Sequence, residues 1–132
     1  MAEILIVDDD PHARLLVTTL LRHAGHGSLE AADGVAALRL AAEHRPDLIV
    51  VDLSMPTMNG AEFIRKLRAD PSTRDLRVAL YSATAMDAAT RDFMEIYGVV
   101  ASLPKPSEPH ELLAAVEAAL QRQSRISGRS SP

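Results

Sequence analysis

The sequence contains no cysteine, no long apolar run and no excess of basic residues. Without cysteine there can be no disulfide bond and no thiolate metal site, which fits a cytosolic protein. The first apolar run holds four residues after an acidic start, which is too short for a signal peptide or a membrane span. The net charge of -4 lacks the basic footprint of a nucleic-acid-binding domain. These absences predict a soluble, cytoplasmic domain with no membrane partner and no nucleic-acid partner.

The length and composition are those of one globular domain. The chain has 132 residues, of which 47% are hydrophobic and 24% are charged. We expect the folded domain to span residues 1–122. The segment 123–132 loses apolar periodicity and gathers serine, arginine and glycine, so we expect a flexible tail or the start of a linker there.

Short aliphatic segments alternate with helical ones along the chain. Continuous aliphatic runs predict strands buried on both faces, at 3–8, 47–52, 76–82 and 98–103. A further strand is expected within 25–33, at an edge of the sheet, because the alternation requires one and the segment is rich in glycine. Helical patterns cover 11–24, 34–44, 60–69, 86–97 and 107–121. Five β-α units predict an α/β fold, with a parallel sheet and helices on both faces.

Chemically capable side chains fall at the carboxyl ends of the predicted strands, where ligands of open parallel sheets bind. Asp8 and Asp9 end the first strand, Asp52 another and Ser82 the next, while Lys105 follows the last. Three neighbouring carboxylates repel one another unless a cation lies among them or one is protonated. Oxygen ligands alone favour a hard ion such as Mg²⁺. Lys105 supplies a positive charge for an anion.

Each of these residues also has a purely structural interpretation. An acid before a helix is commonly an N-cap, and we assign that role to Asp10, with Pro11 at the first helical position. Asp52 alone could open a turn-rich loop, Ser82 could simply end a strand, and Lys105 could be a solvated charge. Their combination at one edge of the sheet favours a functional site.

Four segments resemble the receiver domain of bacterial two-component response regulators. They are "ILIVDDDP", "DLIVVDLSMPTMNG", "LYSATA" and "LPKP", in that order, and the resemblance covers residues 3 to about 121. It implies a flavodoxin-like (βα)5 fold, with a doubly wound parallel sheet in the strand order 2-1-3-4-5.

The resemblance also implies a metal site and a phosphoacceptor. Asp52 would accept a phosphoryl group from a histidine kinase or a histidine phosphotransfer protein. Asp9 would bind Mg²⁺ directly, Asp8 chiefly through a metal-bound water, and Ser54 through its backbone carbonyl, with Asp52 completing the protein ligands.

Two further residues match the family's catalytic positions. The hydroxyl of Ser82 would turn toward the phosphoryl oxygens, and Lys105 would pair with the acyl phosphate. The phosphate would then switch an interaction surface for an unknown downstream protein, so the domain would act as a signalling device rather than a turnover enzyme.

The sequence departs from the family pattern after the fourth strand. Ser102 stands where an aromatic residue usually transmits the switch, Pro104 directly precedes the lysine, and Ser107 replaces a common phenylalanine. We therefore expect phosphorylation with an atypical readout. One alternative is a pseudo-receiver, an interaction module that is never phosphorylated. A second is an aspartate-nucleophile hydrolase, which would need an acid-base carboxylate where Ser54 stands.

Overall fold

The computed structural model describes residues 2–53, 59–82, 87–104 and 108–122. Strands and helices alternate throughout these segments. Their bounds are β1 (Glu3–Val7), α1 (Pro11–His23), β2 (Gly27–Ala31), α2 (Gly34–His44), β3 (Leu48–Asp52), α3 (Gly60–Ala69), β4 (Val78–Ser82), α4 (Ala88–Tyr97), β5 (Ala101–Pro104) and α5 (Pro109–Gln121). The expected tail, 123–132, lies outside the described residues, so the boundary near residue 122 stays a prediction.

Within these segments the strands form one parallel sheet in the order β2-β1-β3-β4-β5. The predicted order is confirmed, as is the edge position of the glycine-rich β2. The register pairs Val7 of β1 with Val51 of β3, and Asp52 with Tyr81 of β4. This register brings the carboxyl ends of β1, β3 and β4 to the same edge of the sheet.

The central strands are buried because helices cover both faces of the sheet. Successive residues of a strand point to opposite faces, so β1 and β3 supply both core layers. Leu5, Val7, Ile49 and Val51 pack with the layer that contains Phe63 and its neighbours on α3. Ile4, Ile6, Leu48 and Val50 pack with the layer formed by α1 and α5. The doubly wound α/β fold expected from the alternation is therefore confirmed.

Short polar side chains cap the N-termini of the first four helices. Asp10 accepts a hydrogen bond from the His12 amide at 2.9 Å, which confirms its predicted role as an N-cap. Asp33 and Asn59 do the same for α2 and α3, at 2.8 Å in both cases. Asp87 caps α4 through the Thr90 amide, also at 2.8 Å. These caps set where each helix begins relative to the strand before it.

The last strand begins later than the predicted 98–103. Gly98 has a φ of 65° and ends α4, with its amide donating to the Met94 carbonyl. A left-handed residue at a helix end favours glycine because no Cβ is present to clash. Residues 98–100, "GVV", therefore end α4 and lead into β5, which starts at Ala101.

Small residues form the buried face of α2. The helical pattern of 34–44 places Val35, Leu38 and Ala42 on one apolar face, but Val35 is 61% exposed and Ala42 is exposed as well. Ala37 and Ala41 are fully buried instead, with the larger Leu38 half-buried beside them. Alanines allow the helix axis to approach the sheet closely, so of the three residues on that face only Leu38 packs against the core.

Arg68 connects the carboxyl ends of α3 and α4. Its guanidinium donates to the carbonyls of Tyr97, Arg74 and Leu76 at 2.7–2.8 Å, and to that of Gly98 at 3.3 Å. Burial lowers the pKa of Arg68 to about 10, so the group is still charged at neutral pH. This contact holds α4 against α3 at the end of the domain opposite the acidic edge.

A half-exposed ion pair gives the domain a small dependence on acid pH. Two hydrogen bonds from Arg45, at 2.8 and 2.9 Å, hold the pKa of the Asp75 carboxyl below its ordinary 3.8. Its stabilisation is complete above that ordinary value and is lost as pH falls through the lower folded pKa. We expect Asp75→Asn to lower the free energy of unfolding by about 0.5 kcal/mol at pH 7, with the difference vanishing once the pH lies below the folded pKa of Asp75. Urea titrations over this pH range measure the difference. The control is Glu95→Gln, which changes an exposed carboxylate with no ion pair in the described part of the chain and should leave the free energy of unfolding unchanged.

Candidate functional site

Three aspartates meet at the carboxyl edge of the sheet, as the sequence predicts. Asp52 is the last residue of β3, and Asp8 and Asp9 directly follow β1. One carboxylate oxygen from each residue lies within 4.8 Å of the others. Asp8 is 2% exposed and Asp52 is 9% exposed, whereas Asp9 is open to solvent. The site is thus an acidic pocket that is buried at its base and open at its rim.

Hydrogen bonds hold the segment between β1 and α1. The Asp8 amide continues the pairing with β2 by donating to the Ala31 carbonyl at 3.1 Å. The Asp8 carboxylate accepts from the Asp10 amide at 2.9 Å. Arg14, one turn into α1, donates from Nη1 to the Asp8 carbonyl oxygen at 2.6 Å. Its Nε donates to Glu30 of β2 at 3.0 Å. The two acids are therefore presented by a segment fixed from both β2 and α1.

The start of α3 packs directly against the backbone of the predicted phosphoacceptor. The Gly60 amide donates to the Leu53 carbonyl at 3.0 Å. A Cβ atom at Gly60 would lie 2.6 Å from the Asp52 carbonyl oxygen and 2.8 Å from the Leu53 Cα. Only glycine fits at this distance, so Gly60 allows α3 to begin beside the end of β3.

The acidic pocket fits a hard divalent cation. Its grouped ligand atoms are all carboxylate oxygens, the donors that Mg²⁺ prefers. Ligands about 2.1 Å from one Mg²⁺ ion lie at most about 4.2 Å apart, so a small inward movement of these carboxylates would suffice. A divalent cation would also offset the repulsion among acids that are mostly withdrawn from water.

The remaining predicted site residues are only partly covered by the structure. β4 ends at Ser82, which pairs with Pro104 of β5 at the same edge of the sheet as Asp52. The Ser82 side chain, Ser54 and Lys105 lie outside the described residues, so their roles stay predictions. The structure brings together Asp8, Asp9 and Asp52 and places the backbone of Ser82 two strands from β1.

The usual aromatic position of the switch holds an exposed serine. Ser102 lies on the edge strand β5, opposite Leu80, with its side chain open to solvent. Aromatic contact is found instead on α4, where the Phe93 and Tyr97 rings lie 4.7 Å apart between centroids. The Arg65 guanidinium of α3 stands 5.5 Å over the Phe93 ring. The Arg65 contact thus joins α3 to α4, whereas the ring contact between Phe93 and Tyr97 lies within α4.

Sequence reasoning missed Arg14 and Gly60 as parts of this site. Arg14 follows Asp10 by four positions on a helix, a spacing that offered a signal because it directs the side chain back toward the first turn. Gly60 directly follows the N-cap Asn59, and that pair reads equally well as an ordinary turn. Their contacts with Asp8 and Asp52 depend on how the elements pack.

No helix within the described segments combines the length and the apolar character needed to cross a membrane.

The response regulator receiver domain is the family that matches this chain, over residues 4–117. Among proteins of known role, the DNA-binding dual master transcriptional regulator RpaA of a Synechocystis species is 37% identical over 128 residues. That match covers 96% of this chain and 52% of the relative. The DNA-binding response regulator MtrA of Mycolicibacterium smegmatis is 35% identical, over 90% of this chain and 50% of its own length. The chain spans about half the length of these curated relatives.

Solved structures resemble the fold over nearly their whole length. The chemotaxis protein CheY4 of Vibrio cholerae superposes with a TM-score of 0.83 at 31% identity, covering 90% of this chain and 98% of that one. The receiver domain of the sensor histidine kinase PA1611 from Pseudomonas aeruginosa superposes with a TM-score of 0.80 at 28% identity, covering 92% and 98%. Its structure holds a magnesium ion in the active-site cleft.

Proposed function

Because this chain belongs to the response regulator receiver domain family, we propose that Asp52 accepts a phosphoryl group in a Mg²⁺-dependent reaction and so switches an interaction surface. Receiver domains are in general signalling domains that are phosphorylated on an aspartate, rather than turnover enzymes. The observation that carries the proposal is the meeting of the Asp8, Asp9 and Asp52 carboxylates within 4.8 Å at the carboxyl edge of the sheet. The donor is a histidine kinase or a histidine phosphotransfer protein.

The proposed chemistry is an in-line displacement at phosphorus. A carboxylate oxygen of Asp52 forms the new bond to phosphorus, while the bond between phosphorus and the donor nitrogen breaks and its electron pair returns to the donor. Bound Mg²⁺, with Asp8, Asp9, Asp52 and the Ser54 carbonyl as its protein ligands, would neutralise charge on the phosphoryl oxygens.

Ser82, the last residue of β4, and Lys105, which follows β5, complete the proposed site. Lys105 pairs with the transferred group and offsets its negative charge. The hydroxyl of Ser82 donates a hydrogen bond to a phosphoryl oxygen, a partner that exists only after phosphorylation. That new contact biases the loop after β4, and through it the surface read by a downstream protein.

The exposed Ser102 favours one second candidate function. Without an aromatic ring at this position, the usual transmission from phosphate to β5 is missing, as expected for a pseudo-receiver that serves only as an interaction module. We place phosphorylation first because the carboxylates of Asp8, Asp9 and Asp52 lie within 4.8 Å of one another. The hydrolase alternative has no such support, because Ser54 stands where its acid-base carboxylate would be needed.

The activity of any longer protein is a separate proposal. The two regulators named above are DNA-binding proteins. The expectation of no nucleic-acid partner therefore conflicts with them if it is applied to a longer protein. We keep it for this chain alone, because its net charge of -4 gives it no overall basic character. We also propose that this chain lies in the cytoplasm and has no membrane partner.

Removal of the metal should stop phosphorylation. With acetyl phosphate as donor, we expect intact-protein mass to show one added phosphoryl group in Mg²⁺ and none in EDTA. Asp9→Asn removes one charged ligand and should slow uptake roughly 100-fold. Asp33→Asn is the matched control, because asparagine caps α2 equally well and the same charge is removed without loss of a ligand. Equal uptake with and without metal would contradict the role of Mg²⁺.

A further inference from the structure

Arg14 is the basic side chain that holds the acidic segment among the described residues. It is 17% exposed, and its two hydrogen bonds reach the Asp8 carbonyl oxygen and the Glu30 carboxylate. From these contacts we propose that Arg14 is a positioning residue for Asp9, and that it raises Mg²⁺ affinity by fixing the peptide that joins Asp8 to Asp9. The inference rests on the proposed function, because it takes Asp9 as a metal ligand.

The peptide plane between Asp8 and Asp9 explains how Arg14 can act at a distance from the metal. The Asp8 carbonyl and the Asp9 amide belong to one planar unit, so a rotation of that unit moves both groups together. The Asp9 side chain makes no hydrogen bond to any residue within the described segments, and it is exposed. Among the described residues, its own backbone is therefore what restrains its direction. The 2.6 Å hydrogen bond from Arg14 to the Asp8 carbonyl oxygen restrains the other end of that same peptide.

Glu30 holds the guanidinium in the orientation that this contact requires. It lies opposite Ile6 in the register of β2 with β1, one position before the end of the pairing. Its Oε1 atom accepts from Nε of Arg14 at 3.0 Å. Because a guanidinium is planar and rigid, fixing Nε also directs Nη1 toward the Asp8 carbonyl. A lysine has one donor nitrogen and cannot reproduce this fork.

Geometry and charge predict opposite effects of replacing Arg14. A nearby positive charge disfavours a cation, so a purely electrostatic role predicts tighter Mg²⁺ binding in Arg14→Met and wild-type binding in Arg14→Lys. A positioning role predicts weaker binding in both variants. Loss of a residue that orients a metal ligand should lower affinity about 10-fold.

Calorimetric titration with Mg²⁺ distinguishes these accounts. The proteins are wild type, Arg14→Met, Arg14→Lys and, as a matched control, Arg39→Met, which removes an exposed arginine paired with Glu43 on α2. We expect an affinity loss of about 10-fold in both Arg14 variants and none in the control. In both Arg14 variants, phosphoryl uptake from acetyl phosphate should be slow at low Mg²⁺ and should largely recover at saturating Mg²⁺. A general loss of structure would slow uptake at both Mg²⁺ concentrations.

The outcomes separate this inference from the proposed function. Wild-type protein that neither binds Mg²⁺ nor takes up phosphate would refute the proposed function itself. Wild-type protein that does both, with tighter binding in Arg14→Met and unchanged binding in Arg14→Lys, would refute the positioning role alone. Unchanged affinity in both Arg14 variants would refute it too. Arg14→Lys keeps the charge, so it also tests the inference if Arg14→Met does not fold.

Discussion

Replacing Gly60 with alanine is expected to lower the free energy of unfolding by about 3 kcal/mol. The added methyl group would lie 2.6 Å from the Asp52 carbonyl oxygen, inside any real contact distance. The atoms it meets are backbone atoms of Asp52 and Leu53, which cannot rotate away as a flexible side chain could. Relief of the clash therefore requires α3 to move from the end of β3. That movement strains the fully buried Phe63 and Ile64.

Gly60→Ala should also slow phosphoryl uptake, because the displaced backbone carries the acceptor. Chemical denaturation measures the stability change, and uptake from acetyl phosphate measures the functional one. Gly27→Ala is the matched control, since a Cβ there has its nearest contact at 3.9 Å and a strand favours alanine over glycine. If Gly60→Ala were as stable as the control, the close approach of α3 to Asp52 would be wrong.

Replacing Asp52 with asparagine is expected to abolish phosphoryl uptake and to stabilise the metal-free protein. The amide keeps the shape of the side chain and removes one of three carboxylates that meet within 4.8 Å. For one pair of charges 4.8 Å apart, Coulomb's law gives about 1 kcal/mol at the dielectric constant of water and about 3.5 kcal/mol at 20. Because Asp52 faces two carboxylates, the gain should be at least about 1 kcal/mol. Mg²⁺ should reverse the order, because wild type binds the ion more tightly and gains more from it.

Thermal unfolding of both proteins, with and without Mg²⁺, tests this reversal. Asp33→Asn again serves as the control for removal of a negative charge from the same edge of the domain. A lower melting temperature for Asp52→Asn in the absence of metal would show that repulsion among the acids does not determine the stability of the site.

The fold was predictable because its strongest signals are local. Continuous aliphatic runs such as Ile4–Val7 and Leu48–Val51 can be buried on both faces only in a covered parallel sheet. The helix start at Asp10 followed from its position before Pro11. The predictions failed where packing outweighed composition, as at Val35, where small neighbouring alanines face the sheet instead.

The acidic pocket was predictable for a related reason, whereas its supporting contacts were not. Asp8 and Asp9 directly follow β1 and Asp52 ends β3, so parallel pairing alone brings them to one edge. The contacts of Arg14 with the Asp8 carbonyl and of Gly60 with the Asp52 backbone depend on helix placement to within an ångström. No spacing along the chain encodes such distances.

Intact-protein mass after incubation with Mg²⁺ and acetyl phosphate tests the central claim most directly, with wild type compared to Asp52→Ala. We expect one added phosphoryl group on wild type and none on the variant. A stable phosphoryl mimic, checked in parallel by its binding to each protein, excludes rapid hydrolysis as the cause of a missing adduct. An adduct on both proteins would contradict Asp52 as the acceptor. No adduct and no mimic binding in wild type would contradict phosphorylation itself and favour the pseudo-receiver.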